Sequence, residues 1–208
     1  MESEIPLVDL TSAFSADASA RLRTGRRSDR ISTQIGFFTI TGHGVPNGVT
    51  CGLNRKAHEF FALPMEEKQK VMPAAIKTPR GYKPVGYEAL GYGSSNVTLP
   101  DLKEYYHFGR ESWPDEPYFT GLDGRRYFVP NVWPQRPEGL RAAAIDYCAE
   151  MEKLVGNLMR ITALGLGLEE HFFDEKIDRH ITAIRLNFYP DVKKPSKPCQ
   201  LRGGEHTN

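Results

Sequence analysis

The chain has 208 residues, 27 of them basic and 26 acidic, with a net charge of +1. At 39% hydrophobic and 25% charged it can build one domain with a real core, which excludes a disordered chain. The near-even charge balance gives no surface for tracking a nucleic-acid backbone, and no window approaches the roughly 18 uninterrupted apolar residues of a membrane span.

IPLVDL is a short apolar run broken by a proline, and reads as an edge strand or an extended arm. From about Ala13 to Gln34 the pattern is helical, with Ala20, Leu22 and Ile31 for a buried stripe. The basic stretch RLRTGRRSDR is the wet face of that helix, and Gly36 stops it. GFFTITGHGV supplies a strand core at Phe37 to Ile40 and a glycine-bounded turn at Gly42 to Gly44. A second helix is expected from about Asn47 to Phe61. Pro64, Glu66 and Glu67 then suit the first turn of another.

Residues 74–136 are rich in Gly, Pro, Tyr and charge. Long loops are expected there, with one strand around Lys103 to Phe108. The 3.6 period returns from about Pro137. Leu140, Ala144, Tyr147, Met151, Val155, Leu158 and Ala163 mark one long helix that ends at Gly165 and Gly167. EEHFFDEKI reads as a short helix, ITAIRLNFYP as a strand stopped by Pro190, and QLRGGEHTN as the next strand. The pattern divides into residues 1–136, a helical region with strands and long loops, and residues 137–208, a support helix with the first strands of a sheet.

Cys51, Cys148 and Cys199 form no CxxC pair, and an odd number makes a poor disulfide framework. The first residues carry no basic region followed by an apolar stretch. A reducing, cytoplasmic setting is the expectation.

Several blocks, in order, resemble the isopenicillin N synthase-like group of iron(II)/2-oxoglutarate-dependent oxygenases: IPLVDL, GFFTITGHGV, AHEFFALPMEEKQKV, RGYKPVGYE, DLKEYYHFG, PNVWP, RLNFYP and GEHTN. The resemblance covers essentially the whole chain. It implies an α+β fold, a double-stranded β-helix or jelly-roll barrel behind a helical N-terminal region, with the barrel incomplete within these residues. It implies a non-haem dioxygenase that takes Fe(II), 2-oxoglutarate and molecular oxygen. Its partner is a small organic substrate of specialised metabolism, hydroxylated, desaturated or cyclised, with no nucleic acid or membrane involved. Oligomeric state stays open.

The site residues follow from the same resemblance. A facial iron site takes two imidazoles and one carboxylate, and residues two apart on a strand share a face. The family's His-Thr-Asp triplet maps to His206 and Asn208 as metal ligands, with an amide where the family has a carboxylate. Three origins of Asn208 stay open: a natural variant or non-catalytic relative, a deliberate substitution that traps an inactive complex, or a damaged or partial sequence. His43, His58, His107, His171 and His180 precede the motif, and none occupies the family's distal position. The expectation is a segment of a longer protein or a truncated product. Asn187 and Tyr189 match the cosubstrate contacts of the family's N-Y-Y-P motif. Tyr82, Lys103, Tyr106 and Arg185 are the candidate substrate contacts.

Overall fold

The computed structural model describes residues 5–74, 78–88, 99–191 and 200–203. Contacts group the chain into two compact units, and each draws on both halves of the sequence. The first comprises Met1–Gly52 and Ala144–His180, the second Leu53–Ala143 and Ile181–Asn208. The boundary expected at 136/137 marks a change of sequence pattern; the units are set by which segments pack together.

In the first unit, β1 (Leu7–Asp9) pairs in parallel with β2 (Thr39–Thr41). Between them lie a 3₁₀ turn (Thr11–Phe14) and helix α1 (Ala18–Ile35). The hydrophobic period suggests a start near Ala13, but the helix begins at Ala18. Asp17 is extended and its side chain accepts a hydrogen bond from the Ser19 amide at 2.8 Å, while the Ser15 hydroxyl accepts from the Asp17 amide at 2.9 Å. Two short polar side chains therefore satisfy amides that an earlier helix would need internally. Gly36 closes α1 at φ 91°, in the left-handed region that a C-terminal glycine favours, and its amide donates to Ser32 O at 2.9 Å. The following strand begins at Thr39 rather than Phe37, and the Phe37 side chain is exposed.

Val8, Leu10, Ala13 and Ile161 form the buried centre of this unit, flanked by Ile31, Phe38, Ile40, Leu154 and Leu158. Leu154, Leu158 and Ile161 come from α5 (Leu140–Gly165), the long helix expected from the 3.6 period. At Gly25 of α1 the two backbones come so close that a Cβ would lie 2.7 Å from Ile161 O and 2.9 Å from Gly165 N. The short helix α6 (Asp174–Ile177) follows, where EEHFFDEKI predicts one.

The second unit holds a three-stranded antiparallel sheet of β3 (Gly81–Lys83), β4 (Glu104–Gly109) and β5 (Ala183–Phe188), in the order β3-β4-β5. Helices α2 (Asn47–Phe61, from Leu53 onward), α3 (Met65–Gln69) and α4 (Pro117–Thr120) belong to the same unit, with a 3₁₀ turn at Gly124–Arg126. β3 lies inside the stretch expected to be loop. Its three residues are too few to show an alternating pattern, and only pairing with β4 makes them a strand.

Alternation gives the sheet two unlike faces. On one, Tyr82, Tyr106 and Phe188 meet Phe60 and Phe61 of α2, and Phe108 packs beside Tyr106. Phe61 stacks on Phe188 at 5.0 Å, and Phe60 lies 5.0 Å from Tyr106. Tyr82, Tyr106 and Phe60 have no exposed area. Among the described residues no closed barrel is present, no strand is assigned at 200–203, and no helix is long and apolar enough to cross a membrane. The Leu102 amide does donate to Leu201 O at 2.9 Å, so the segment after β5 returns to the start of β4.

Candidate functional site

The opposite face of the sheet is polar. Register places Asn187 beside Tyr105, Arg185 beside His107, and Lys83 on the other side of Tyr105. Directly paired residues of an antiparallel ladder point to the same side, so these side chains share one face.

Charge on this face is arranged as a chain. Arg185 Nη1 donates to Glu88 Oε2 at 2.9 Å, and its guanidinium carbon sits 4.3 Å from the centre of the Tyr105 ring. Lys103 Nζ lies 3.0 Å from the same Glu88 oxygen and 3.4 Å from Asp101 Oδ2. Lys103 and Asp101 are almost fully buried, whereas the Arg185 side chain keeps 33% of its surface. The buried end is thus a compensated ion cluster, and Arg185 is its open end. Lys83 Nζ lies 4.6 Å from the centre of the Tyr87 ring.

These neighbours shift protons. Burial, then Arg185 and Arg80, hold the His107 imidazole down at about 4, so it is neutral at ordinary pH. Burial, then Glu88, pushes the Tyr105 hydroxyl up to about 12. Both groups enter the face as uncharged hydrogen-bonding side chains.

The sequence candidates separate accordingly. Asn187, Arg185 and Lys103 belong to the polar face, and Tyr189 follows the last strand residue with 40% of its surface exposed. The Arg202 guanidinium lies 5.5 Å from the Tyr189 ring and donates to its carbonyl at 2.7 Å. Tyr82 and Tyr106 lie on the aromatic face. The Tyr82 hydroxyl donates to Glu104, and the Tyr106 hydroxyl to Val132 O at 2.7 Å. Burial raises both hydroxyls well above the ordinary phenol range. Glu104 is also held by Lys68 Nζ at 2.8 Å, and that ammonium donates to Phe61 O at 3.1 Å. These two tyrosines support the sheet from behind. His206 and Asn208 lie outside the described residues.

Glu88, Tyr105 and His107 are absent from the sequence candidates. Tyr105 and His107 carry a signal, because they alternate with Glu104, Tyr106 and Phe108 along one strand. Glu88 carries none, since it meets Arg185 across 97 residues of chain. A second feature lies at the start of β5: an aromatic cleft among Tyr118, Leu122, Tyr127, Phe128 and Ile181.

The polar face carries Asn187 on β5, the strand that holds most of the RLNFYP block. The family model for the N-terminal region of non-haem dioxygenase in morphine synthesis matches residues 5–136. The chain belongs to the 2-oxoglutarate/Fe(II)-dependent oxygenase family. It is 30% identical over 207 residues to the 2-oxoglutarate-Fe(II) type oxidoreductase hxnY of Emericella nidulans, covering 98% of this chain and 58% of that protein. It is 29% identical over 212 residues to the validamycin A dioxygenase of Streptomyces hygroscopicus subsp. limoneus, covering 100% of this chain and 56% of that one. A full-length Neurospora crassa protein, solved in complex with alpha-KG, superposes with a TM-score of 0.79 at 27% identity, covering 98% of this chain and 61% of that one. The chain therefore spans a little over half the length of these relatives.

Proposed function

We propose that the protein oxidises a small organic molecule in an iron(II)- and 2-oxoglutarate-dependent reaction, with hydroxylation, desaturation or cyclisation as the outcome. The β3-β4-β5 sheet is then one wall of a double-stranded β-helix, and its polar face looks into the site. The observation that carries this reading is the face itself. Asn187, Tyr105, Arg185 and His107 converge on it, next to the block that resembles the family's cosubstrate motif.

Bound iron and 2-oxoglutarate supply the oxidising power, and the protein supplies placement. Asn187 and Tyr189 hold the cosubstrate: an amide and a phenol are suited to hydrogen-bond a carboxylate without adding charge. Tyr105 and His107, kept neutral, line the wall between cosubstrate and substrate. The donor set at the metal departs from the family's pattern. His206 is an ordinary ligand by type, but Asn208 offers a neutral amide oxygen where a carboxylate would help hold a divalent cation. Among the described residues no cluster of three or more metal-binding side chains exists. One imidazole and one amide do not make up the two imidazoles and one carboxylate of a facial iron site.

The test is Fe(II)-dependent succinate formation from 2-oxoglutarate, run on the protein and on Asn208→Asp, with metal affinity measured alongside. The substitution is expected to raise both iron affinity and turnover. Asn187→Ala is expected to weaken 2-oxoglutarate binding. Absence of succinate and of 2-oxoglutarate binding from both proteins would overturn the proposal.

A further inference from the structure

We propose that Arg80 is a carboxylate-binding group: its guanidinium pairs with an acid group of a small molecule held on the polar sheet face. That the acid belongs to a reactant rests on the reading of this face as a wall of the oxidation site. The anion site itself rests on Arg80 and its surroundings.

Arg80 comes just before β3, and its side chain reaches the end of β4. A Cβ built on Gly109 would lie 2.5 Å from Arg80 Nη2 and 2.8 Å from its guanidinium carbon. The guanidinium thus fills the place that a side chain at 109 would take. Gly109 pairs with Ala183 as His107 pairs with Arg185, and residues two apart on a strand share a face. Arg80 therefore lies on the polar face, beyond His107, and the glycine at 109 makes the room for it.

There it is a cation without a counter-charge. Arg80 is 3% exposed. Nη1 donates to Pro79 O at 2.7 Å and Nη2 to Tyr127 O at 2.8 Å, and both acceptors are neutral carbonyls. Nε is buried and has no acceptor among the described residues. No carboxylate among them pairs with it, and burial alone acts on its proton, pulling it below the usual guanidinium range. The neighbouring Arg185 and Lys103 are matched by Glu88 and Asp101, so neither acid is left over for Arg80. His107, pressed by Arg185 and Arg80, is neutral. A buried charge with no partner is strongly unfavourable, and an orphaned buried N–H adds to that cost. One carboxylate answers both needs: it brings the missing negative charge and accepts from Nε. A water or an amide answers only the second.

Two reactants of the proposed chemistry carry such a group, 2-oxoglutarate and an organic substrate that is an acid. The experiment separates them. The proton–nitrogen NMR signal of the Arg80 Nε–H, assigned through bonds from the Arg80 backbone, reports on this one donor. On the full chain, 2-oxoglutarate with diamagnetic Zn(II) is titrated first. Acetate is then compared with acetamide, with and without 2-oxoglutarate. A carboxylate at Arg80 is expected to move the Nε–H proton downfield, because a charge-assisted bond is short and strong. Acetamide is expected to leave it in place. Arg80→Met should weaken binding of that carboxylate by about tenfold or more in calorimetry. Arg80→Lys keeps the charge without the planar fork and should weaken it less.

A shift with 2-oxoglutarate, and no further response to acetate once it is bound, assigns Arg80 to the cosubstrate. A shift with acetate while 2-oxoglutarate is bound assigns it to an acidic substrate. If 2-oxoglutarate binds and neither acid moves the Nε–H, the inference is overturned and the donor faces water. An equal response to acetate and acetamide overturns it as well. The wild-type signal decides these outcomes even if both variants fail to fold. A shift with acetate in a protein that does not bind 2-oxoglutarate keeps the anion site and removes the oxidative reading; no shift and no 2-oxoglutarate binding removes both.

Discussion

Replacing Gly25 by alanine tests the helix crossing at the centre of the first unit. The added Cβ would sit 2.7 Å from Ile161 O and 2.9 Å from Gly165 N, where ordinary contact begins at 3.4 Å. Both atoms are backbone, so no side chain can swing away. The helices must separate by about half an ångström or more, in a core whose packing tolerates little slack. Overpacking of this kind costs about 1–3 kcal/mol. Against it stands the gain of about 1 kcal/mol that alanine brings to a helix interior. The clash outweighs that gain over most of the range, with a net loss of up to about 2 kcal/mol. For a chain of this size the melting temperature should fall by up to roughly 8 °C. Gly156 is the control. It lies within α5, a Cβ there meets nothing within 4 Å, and its φ is unremarkable. Gly156→Ala should therefore stabilise by up to about 1 kcal/mol. Thermal and urea unfolding of both variants measure the two signs. If Gly25→Ala proves as stabilising as Gly156→Ala, the close approach of α1 and α5 is wrong.

Other expectations concern the second unit. Lys68→Met strands Glu104 in the aromatic layer with, among the described residues, the Tyr82 hydroxyl left on it, and should cost about 3–5 kcal/mol in urea unfolding. The Lys68→Met/Glu104→Met double variant should regain much of that loss; a single variant within about 1 kcal/mol of wild type would show the pair to be solvated. His107 makes stability pH-dependent. Its folded pKa of about 4 lies below the 6.5 of the free group, so the unfolded chain takes the proton first. Its contribution is complete above about pH 6.5 and is lost as pH falls toward 4. The half-buried position reduces the effect to about 1 kcal/mol. His107→Gln should flatten the difference in unfolding free energy between about pH 7 and pH 5, and an unchanged slope would refute the neutral buried imidazole. Asn131 joins the end of β4 to the loop after it: Gly109 N donates to its Oδ1 at 2.8 Å, and its Nδ2 donates to Gly109 O at 2.9 Å. Asn131→Ala leaves both backbone groups without those partners and should cost about 1–3 kcal/mol, measured by the same unfolding assay.

Much of the fold is legible in the chain. The long helix α5 shows in its 3.6 period because one face is apolar over about seven turns, and β5 shows in its strand formers and the proline behind it. The start of α1 is misread because the apolar spacing continues into Ala13, while Ser15 and Asp17 decide the boundary through their own hydrogen bonds. β3 is invisible because three residues cannot display a period. Among the site residues, Asn187 stands out through its resemblance to the family's N-Y-Y-P motif, and Arg185 through sharing its face of the strand. Tyr82 and Tyr106 are selected with them by the same resemblance. Their faces depend on the register between β3 and β4, which the sequence does not write.

The sequence by itself determined the family: ordered blocks such as GFFTITGHGV and RLNFYP are local, so nothing need fold for them to be read. It also set the identity of the candidate metal ligands His206 and Asn208, an imidazole and an amide two residues apart. Only tertiary structure decided which polar groups act together. Glu88 and Arg185, or Lys68 and Glu104, become partners because the tertiary fold brings distant segments to hydrogen-bonding distance, and for Lys68 and Glu104 burial then makes an unpaired charge too costly to leave alone.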